Sequence, residues 1–142
     1  MSQSEILHEK LTNWWKLVQA IKANSTAADF EKVTSYLADD CIIYFNGMVT
    51  KPARGKEAVI ETLKALTTYW KLIERRVTAQ GADESGNVLF ASMYNRLEIL
   101  GEPLDFYETE VVRFNEAGLI EEYELYCDSS PIKAIFQEKQ AK

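Results

Sequence analysis

Apolar residues recur at Leu7, Leu11, Trp14, Val18 and Ile21, a spacing that lays one stripe along a helix and predicts a first amphipathic helix from Ser4 to about Ala23. Asn24-Ser25-Thr26 breaks the pattern and offers N-caps, after which Phe30, Val33 and Leu37 share one face of a second helix ending near Ala38-Asp39-Asp40. The pattern then changes period. Cys41 to Asn46 is β-branched and aromatic and stops at Asn46-Gly47, which reads as a short strand and a turn, with Tyr44 and Asn46 on one face. Met48 to Gly55 is irregular, and Val59, Ile60, Leu63 and Leu66 return to helical spacing in a third helix from Lys56 to about Tyr69. Four long extended segments follow: Lys71 to Ala82, Asn87 to Leu100, Leu104 to Asn115 and Leu119 to Asp128. Glu84-Ser85-Gly86-Asn87, Gly101-Glu102-Pro103 and Glu116-Ala117-Gly118 separate them as hairpin connections. Ser130 as N-cap and Pro131 at the first helical position open a short last helix with Ile132, Ile135 and Phe136 on its apolar face.

Helices first and hairpins afterwards predict an α+β fold, because the helices must cover one face of a curved, mostly antiparallel sheet. In the second long strand both alternating sets are apolar: Phe90 and Tyr94 on one face, and Leu89, Ala91, Met93, Leu97 and Ile99 on the other. Both faces are therefore expected to be covered, the second by a two-fold partner, making a homodimer.

Composition narrows the function classes. A length of 142 residues suits one domain over positions 1–142, with room for a single deep site. A net charge of -6 without a basic, aromatic-interleaved stripe argues against a nucleic-acid partner. Glu74-Arg75-Arg76, the longest basic feature, reads as the solvated rim of a strand. No apolar run approaches the roughly 18 residues of a membrane span, and the start lacks a basic leader segment, so a cytoplasmic protein with no membrane partner is expected. Cys41 and Cys127 are expected as free thiols, and one His with two Cys makes a metal site unexpected.

Candidate chemistry comes from the strands. Tyr94, Arg96 and Glu98 alternate onto the face of Phe90, where Arg96 could hold the Glu98 carboxylate and orient it as a base, or form an ordinary ion pair at the rim. Tyr44 and Asn46 offer hydrogen bonds to a substrate oxygen. Glu108 and Glu110 alternate with Phe106 and Val112, so two carboxylates share a face with residues that look buried and one of them can be protonated. An exposed or edge position is equally open for Glu110, Glu121, Glu122 and Glu124. Asp128, beside Tyr126, either caps the last helix or leans over a pocket mouth, and Trp14 and Trp15 either line a pocket or fill the core.

The order of elements resembles the nuclear transport factor 2-like superfamily, a cone-shaped α+β barrel, and within it the SnoaL-like polyketide cyclase branch. The marks are Tyr36-Leu37-Ala38-Asp39-Asp40, Gly55-Lys56-Glu57-Ala58-Val59, and Phe114-Asn115-Glu116-Ala117-Gly118-Leu119-Ile120 leading to Tyr126-Cys127-Asp128. Tyr44-Phe45-Asn46 and Arg96-Leu97-Glu98 are similar to the Tyr-x-Asn and Arg-x-Asp of limonene epoxide hydrolases, with Glu in place of Asp; their second catalytic Asp falls at or near Leu125, where no carboxylate stands. The resemblance implies a cofactor-independent isomerase, cyclase or dehydratase acting by general acid-base catalysis on a small, largely apolar polyketide- or terpenoid-like metabolite. In that reading Glu98 is the base, Arg96 its orienting partner, Tyr44 and Asn46 hold a substrate oxygen, and Asp128 is a second carboxylate. Trp14, Phe90, Tyr94, Phe106, Glu108 and Tyr126 would line the substrate. Epoxide hydrolysis and a non-catalytic ligand-binding or dimerisation module are the alternatives.

Overall fold

The structure is a computed structural model that describes residues 1–141. Helix α1 spans Gln3–Ala20 and buries Leu7, Leu11, Trp14 and Trp15; the Ser2 side chain accepts from the Glu5 amide at its start. It stops three residues earlier than the apolar spacing predicts, because Ile21 turns extended and the Lys22 amide donates to the Ser25 hydroxyl at 2.8 Å. Thr26 then forms a capping box with Asp29, satisfying orphan donors at the start of α2, Ala27–Thr34.

The expected continuation of α2 to Asp40 is corrected. Strand β1 spans Leu37–Asn46 and so begins four residues before Cys41. Leu37 and Ala38 are buried as strand residues, with Leu37 opposite Ile120 in a parallel ladder and the Ile120 amide donating to the Tyr36 carbonyl. Here the tertiary ladder overrides a helical spacing carried by one apolar residue. The stretch read as irregular contains a short strand β2, Ala53–Arg54, which pairs with Ile43 and Ile42. Gly55, at φ 87°, turns the chain into helix α3, Lys56–Thr67.

Strands β3 (Trp70–Ala82), β4 (Val88–Ile99), β5 (Glu102–Phe114) and β6 (Ile120–Cys127) follow the expected meander, and helix α4, Ser130–Ala141, closes the described chain. The sheet order is β2-β1-β6-β5-β4-β3; only the β1–β6 pair is parallel, and the sheet stays open between β2 and β3. The β4–β5 turn is the two-residue pair Leu100-Gly101, both at positive φ, so Glu102 and Pro103 belong to β5 rather than to the turn. Pro103 is tolerated because β6 joins β5 only from Glu108 onward, leaving the other side of β5 an edge at that point. Gly47, at φ 90°, cannot be replaced: a Cβ there would lie 1.8 Å from the Cys127 carbonyl oxygen.

The helices cover one face of this curved sheet, as the hydrophobic alternation requires. A large core joins α1, α2 and α3 to Leu89, Ala91, Met93, Val112, Phe114 and Tyr123. A second, smaller core gathers Leu97, Ile99 and Phe106 under Ile132 of α4. No described helix is long and apolar enough to cross a membrane, and Cys41 and Cys127 are free.

Candidate functional site

Five polar or charged residues are buried among the described ones, and three of them, Asn95, Glu108 and Glu110, come from the inner faces of two neighbouring strands. The alternation of β5 turns Phe106, Glu108, Glu110, Val112 and Phe114 inward, and that of β4 turns in Leu89, Ala91, Met93, Asn95, Leu97 and Ile99. Glu108 and Glu110 end in a cavity of about 90 Å³ whose other walls are Trp14, Trp15, Trp70, Phe45 and aliphatic side chains of α3 and β6. Since one water needs roughly 10–15 Å³ by such a measure, the space holds several waters or a small ring.

Arg75 reaches this site through a bulge. β3 and β4 pair Leu72 with Leu97 but Glu74 with Arg96, so Ile73 is an extra residue and the inward alternation passes from Leu72 to Arg75. The reading of Arg75 as a solvated rim residue is thereby corrected: its side chain is 12% exposed and meets the 1% exposed Glu108 at 3.4 Å. Arg75 Nε also donates to Asn95 Oδ1 at 3.3 Å, and Asn95 Nδ2 donates to the same Glu108 oxygen at 2.7 Å. Glu108 is thus a carboxylate held by one cation and one amide through Oε1, while its Oε2 has no hydrogen-bond partner. Two opposed charges out of water need such satisfaction to persist.

Glu110 is different. It is 0% exposed and neither of its oxygens has a partner in ordinary hydrogen-bond geometry. Burial first, and then the charge of Glu108, push its carboxyl up to about 10, against the opposing pull of Arg75 and of the nearby Tyr123 hydroxyl. The residue is a neutral acid at physiological pH. Burial likewise holds the Tyr123 hydroxyl well above its ordinary range, and that oxygen accepts from Trp15 Nε1 at 2.8 Å. The Trp15–Tyr123 pair and the neighbouring Glu110 therefore stand beside the Glu108–Arg75–Asn95 cluster. An ionised carboxylate and a protonated one, two residues apart on one strand face, make a base and an acid in a largely apolar space.

The expected constellation divides. Trp14 and Glu108 line the cavity. Phe106 is buried in the smaller core and packs edge-on against Trp70, whose own ring lines the wall. Phe90, Tyr94, Arg96 and Glu98 lie on the opposite face of the sheet, because the inner face of β4 is the alternate set. Arg96 pairs there with Asp105 at 2.8 Å instead of with Glu98, and Tyr94 donates to the same oxygen at 2.7 Å, which holds the Asp105 carboxyl below its usual range. Tyr44 and Asn46 alternate with Ile43 and Phe45, which are the cavity-lining pair, and so point away from it. Tyr126 is exposed and its hydroxyl donates to Glu124. Asp128 caps: its Oδ1 accepts from the Ser130 amide and hydroxyl at 3.0 and 2.7 Å, which lowers its carboxyl. Glu110, for which an exposed position was equally open, is buried.

Asn95, Arg75 and Tyr123 were not singled out. Asn95 carries a legible signal, as the one polar residue on an otherwise apolar face of β4. Arg75 carries none, since its inward turn depends on a bulge. Among the described residues no group of three or more His, Cys, Asp or Glu is placed to hold a metal ion.

The fold matches solved structures over most of its length. A candidate polyketide cyclase from Xanthomonas campestris pv. campestris is 12% identical with a TM-score of 0.69, over 88% of this chain and 92% of that one. SalBIII, an epoxide hydrolase/cyclase-like enzyme of pyran ring formation in salinomycin, is 11% identical with a TM-score of 0.69, over 89% and 94%. A steroid delta-isomerase from Pseudomonas aeruginosa is 19% identical with a TM-score of 0.60, over 89% and 80%. No family model matches the sequence, and no curated relative does. At these identities the likeness shows the fold alone: a curved, open α+β sheet covered by helices, similar to that of the polyketide cyclase-like and nuclear transport factor 2-like structures. That fold hosts cyclases, isomerases and epoxide hydrolases, so the reaction has to be argued from the site.

Proposed function

We propose that the protein is a cofactor-independent isomerase or cyclase that moves protons on a small, largely apolar metabolite held in the cone. The observation that carries this reading is the pair of buried carboxyls in one cavity, Glu108 paired with Arg75 and Glu110 held neutral by burial, with three oxygens left without a hydrogen-bond partner. Glu108 takes a proton from the substrate through Oε2, Glu110 delivers one to a substrate heteroatom, and Arg75 and Asn95 hold Glu108 in place through its other oxygen. These residues take the roles first assigned to Glu98 and Arg96. Positioned acids and bases of this kind accelerate proton transfer by about 10²–10⁴-fold each.

The test is turnover of small cyclic ketones, epoxides and polyketide-like compounds in deuterated, ¹⁸O-labelled water, read by mass spectrometry. A rearranged product of unchanged composition, carrying deuterium and no ¹⁸O, is expected. Glu108→Gln should lower the rate by about 10²–10⁴-fold and Glu98→Gln should leave it unchanged. A diol containing ¹⁸O would identify epoxide hydrolysis instead.

The reading includes a second copy over the outer face of the sheet. Phe90, Tyr107 and Tyr126 are 40%, 69% and 44% exposed there, an aromatic patch with no cover in the single chain. Sedimentation at micromolar concentration should give a dimer, and Tyr107→Glu a monomer that keeps its activity; a wild-type monomer would remove the partner from the reading.

A further inference from the structure

The cavity sets two carboxyls of unlike protonation against an aromatic wall. Glu108 Oε2 and both Glu110 oxygens lack partners. The nitrogen donors nearby are committed, Arg75 to Glu108 and Asn95, Trp15 to Tyr123, and Trp14 to the Val33 carbonyl at 3.1 Å, which leaves the Glu110 and Tyr123 hydroxyl protons as the ones a ligand can meet or displace. The opposite wall is aromatic, and all three tryptophans of the chain, Trp14, Trp15 and Trp70, contribute to it. Aromatic faces attract cations, most strongly where water is excluded. One cation already lies against this wall, with the Arg75 guanidinium 5.8 Å from the Trp15 ring centre.

We propose that the ligand of this cavity carries a basic nitrogen, held as an ammonium or iminium ion between the Glu108 and Glu110 carboxyls and the tryptophan wall. The proposal rests on the reading of that pair as the active site and names its substrate class. Acidity supports the choice of nitrogen. An acid with a pKa of about 10 gives a bound carbonyl or ether oxygen only a hydrogen bond until charge develops in the reaction, whereas an aliphatic amine is basic enough to take its proton on binding. A neutral amine uses its lone pair to bind the Glu110 proton, leaving a carboxylate opposite the new N–H⁺. A ligand that arrives as a cation displaces the same proton to solvent. Glu110 is faced by Glu108 on its own strand, by Arg75 of β3 and by Tyr123 and Cys127 of β6; α1, α3 and β1 bring only uncharged side chains. Arg75 is the one cation in that set and is engaged with Glu108, so a second cation answers the remaining acceptor oxygens.

Tryptophan emission reports occupancy, since every tryptophan lines the cavity. The probes are benzyltrimethylammonium and its uncharged carbon isostere neopentylbenzene, titrated from pH 6 to pH 9. The ammonium should bind at least about tenfold tighter at pH 8, and its association constant should rise by about tenfold per pH unit, the signature of one displaced proton. Glu110→Gln should flatten that dependence and remove most of the preference while the neutral compound still binds. If the isostere binds as tightly as the cation, or the cation binds independently of pH, the nitrogen proposal falls and the acid-base site stands. If neither compound changes the emission, both fall.

Discussion

Arg75→Met should destabilise the protein by about 3–5 kcal/mol at pH 8, although no tight core contact is lost. Among the described residues the guanidinium is the one cation lining the cavity with the two carboxyls, and the Glu108 side chain it meets is 1% exposed. Removing it leaves an uncompensated buried charge, which costs far more than the ~0–1 kcal/mol of an exposed pair such as Arg96–Asp105. Arg75→Met with Glu108→Gln should lie closer to wild type than Arg75→Met alone. Urea denaturation at pH 8 measures both variants against the wild type. A loss below ~1 kcal/mol at pH 8 would mean that Glu108 is not held as a buried anion, and the base would have to be sought elsewhere.

The contrast between Arg75 and Arg96 also explains what was legible in the sequence. Element order, the meander and the helix-covered sheet follow from periods of 3.6 and 2 that the chain repeats clearly, and the boundaries that shifted did so where a tertiary partner decided them, as at Leu37 opposite Ile120. Assigning faces was harder. In β4 the set containing Tyr94, Arg96 and Glu98 has the richer chemistry, but the set containing Leu89, Ala91, Met93, Leu97 and Ile99 has more apolar surface to bury. Burial fixes the register, so Asn95 goes inward and the Arg-x-Glu pattern goes out. A motif matched by spacing alone cannot reveal that inversion. β5 was more readable, because Glu108 and Glu110 stand between Phe106 and Val112 on one face, and a carboxyl there must be either paired or protonated. Glu108 and Glu110 take one solution each. Arg75 was hidden for a different reason: simple alternation from Trp70 and Leu72 points it outward, and one extra residue at Ile73 reverses it.

Glu110→Gln should make the protein more stable at neutral pH while removing the proposed proton donor. The Glu110 carboxyl rises from an ordinary value of 4.5 to about 10 on folding, so the unfolded chain has lost its proton at pH 7 and the folded one has kept it. A raised folded pKa stabilises only below the unfolded value. Between pH 4.5 and pH 10 the wild type must take up a proton to fold and loses up to about 1.4 kcal/mol of stability per pH unit. Glutamine keeps the shape and neutrality of the protonated acid and does not titrate. The variant should match the wild type near pH 4.5 and exceed it by about 3 kcal/mol at pH 7, with the gap still widening at pH 9. Denaturation curves across that range decide the point. A variant that gains nothing at pH 8 would mean that Glu110 is ionised inside the cone, leaving the site two bases and no acid. A gain in stability accompanied by loss of turnover would identify Glu110 as a group that weakens the fold and serves the reaction, the usual exchange at an active site.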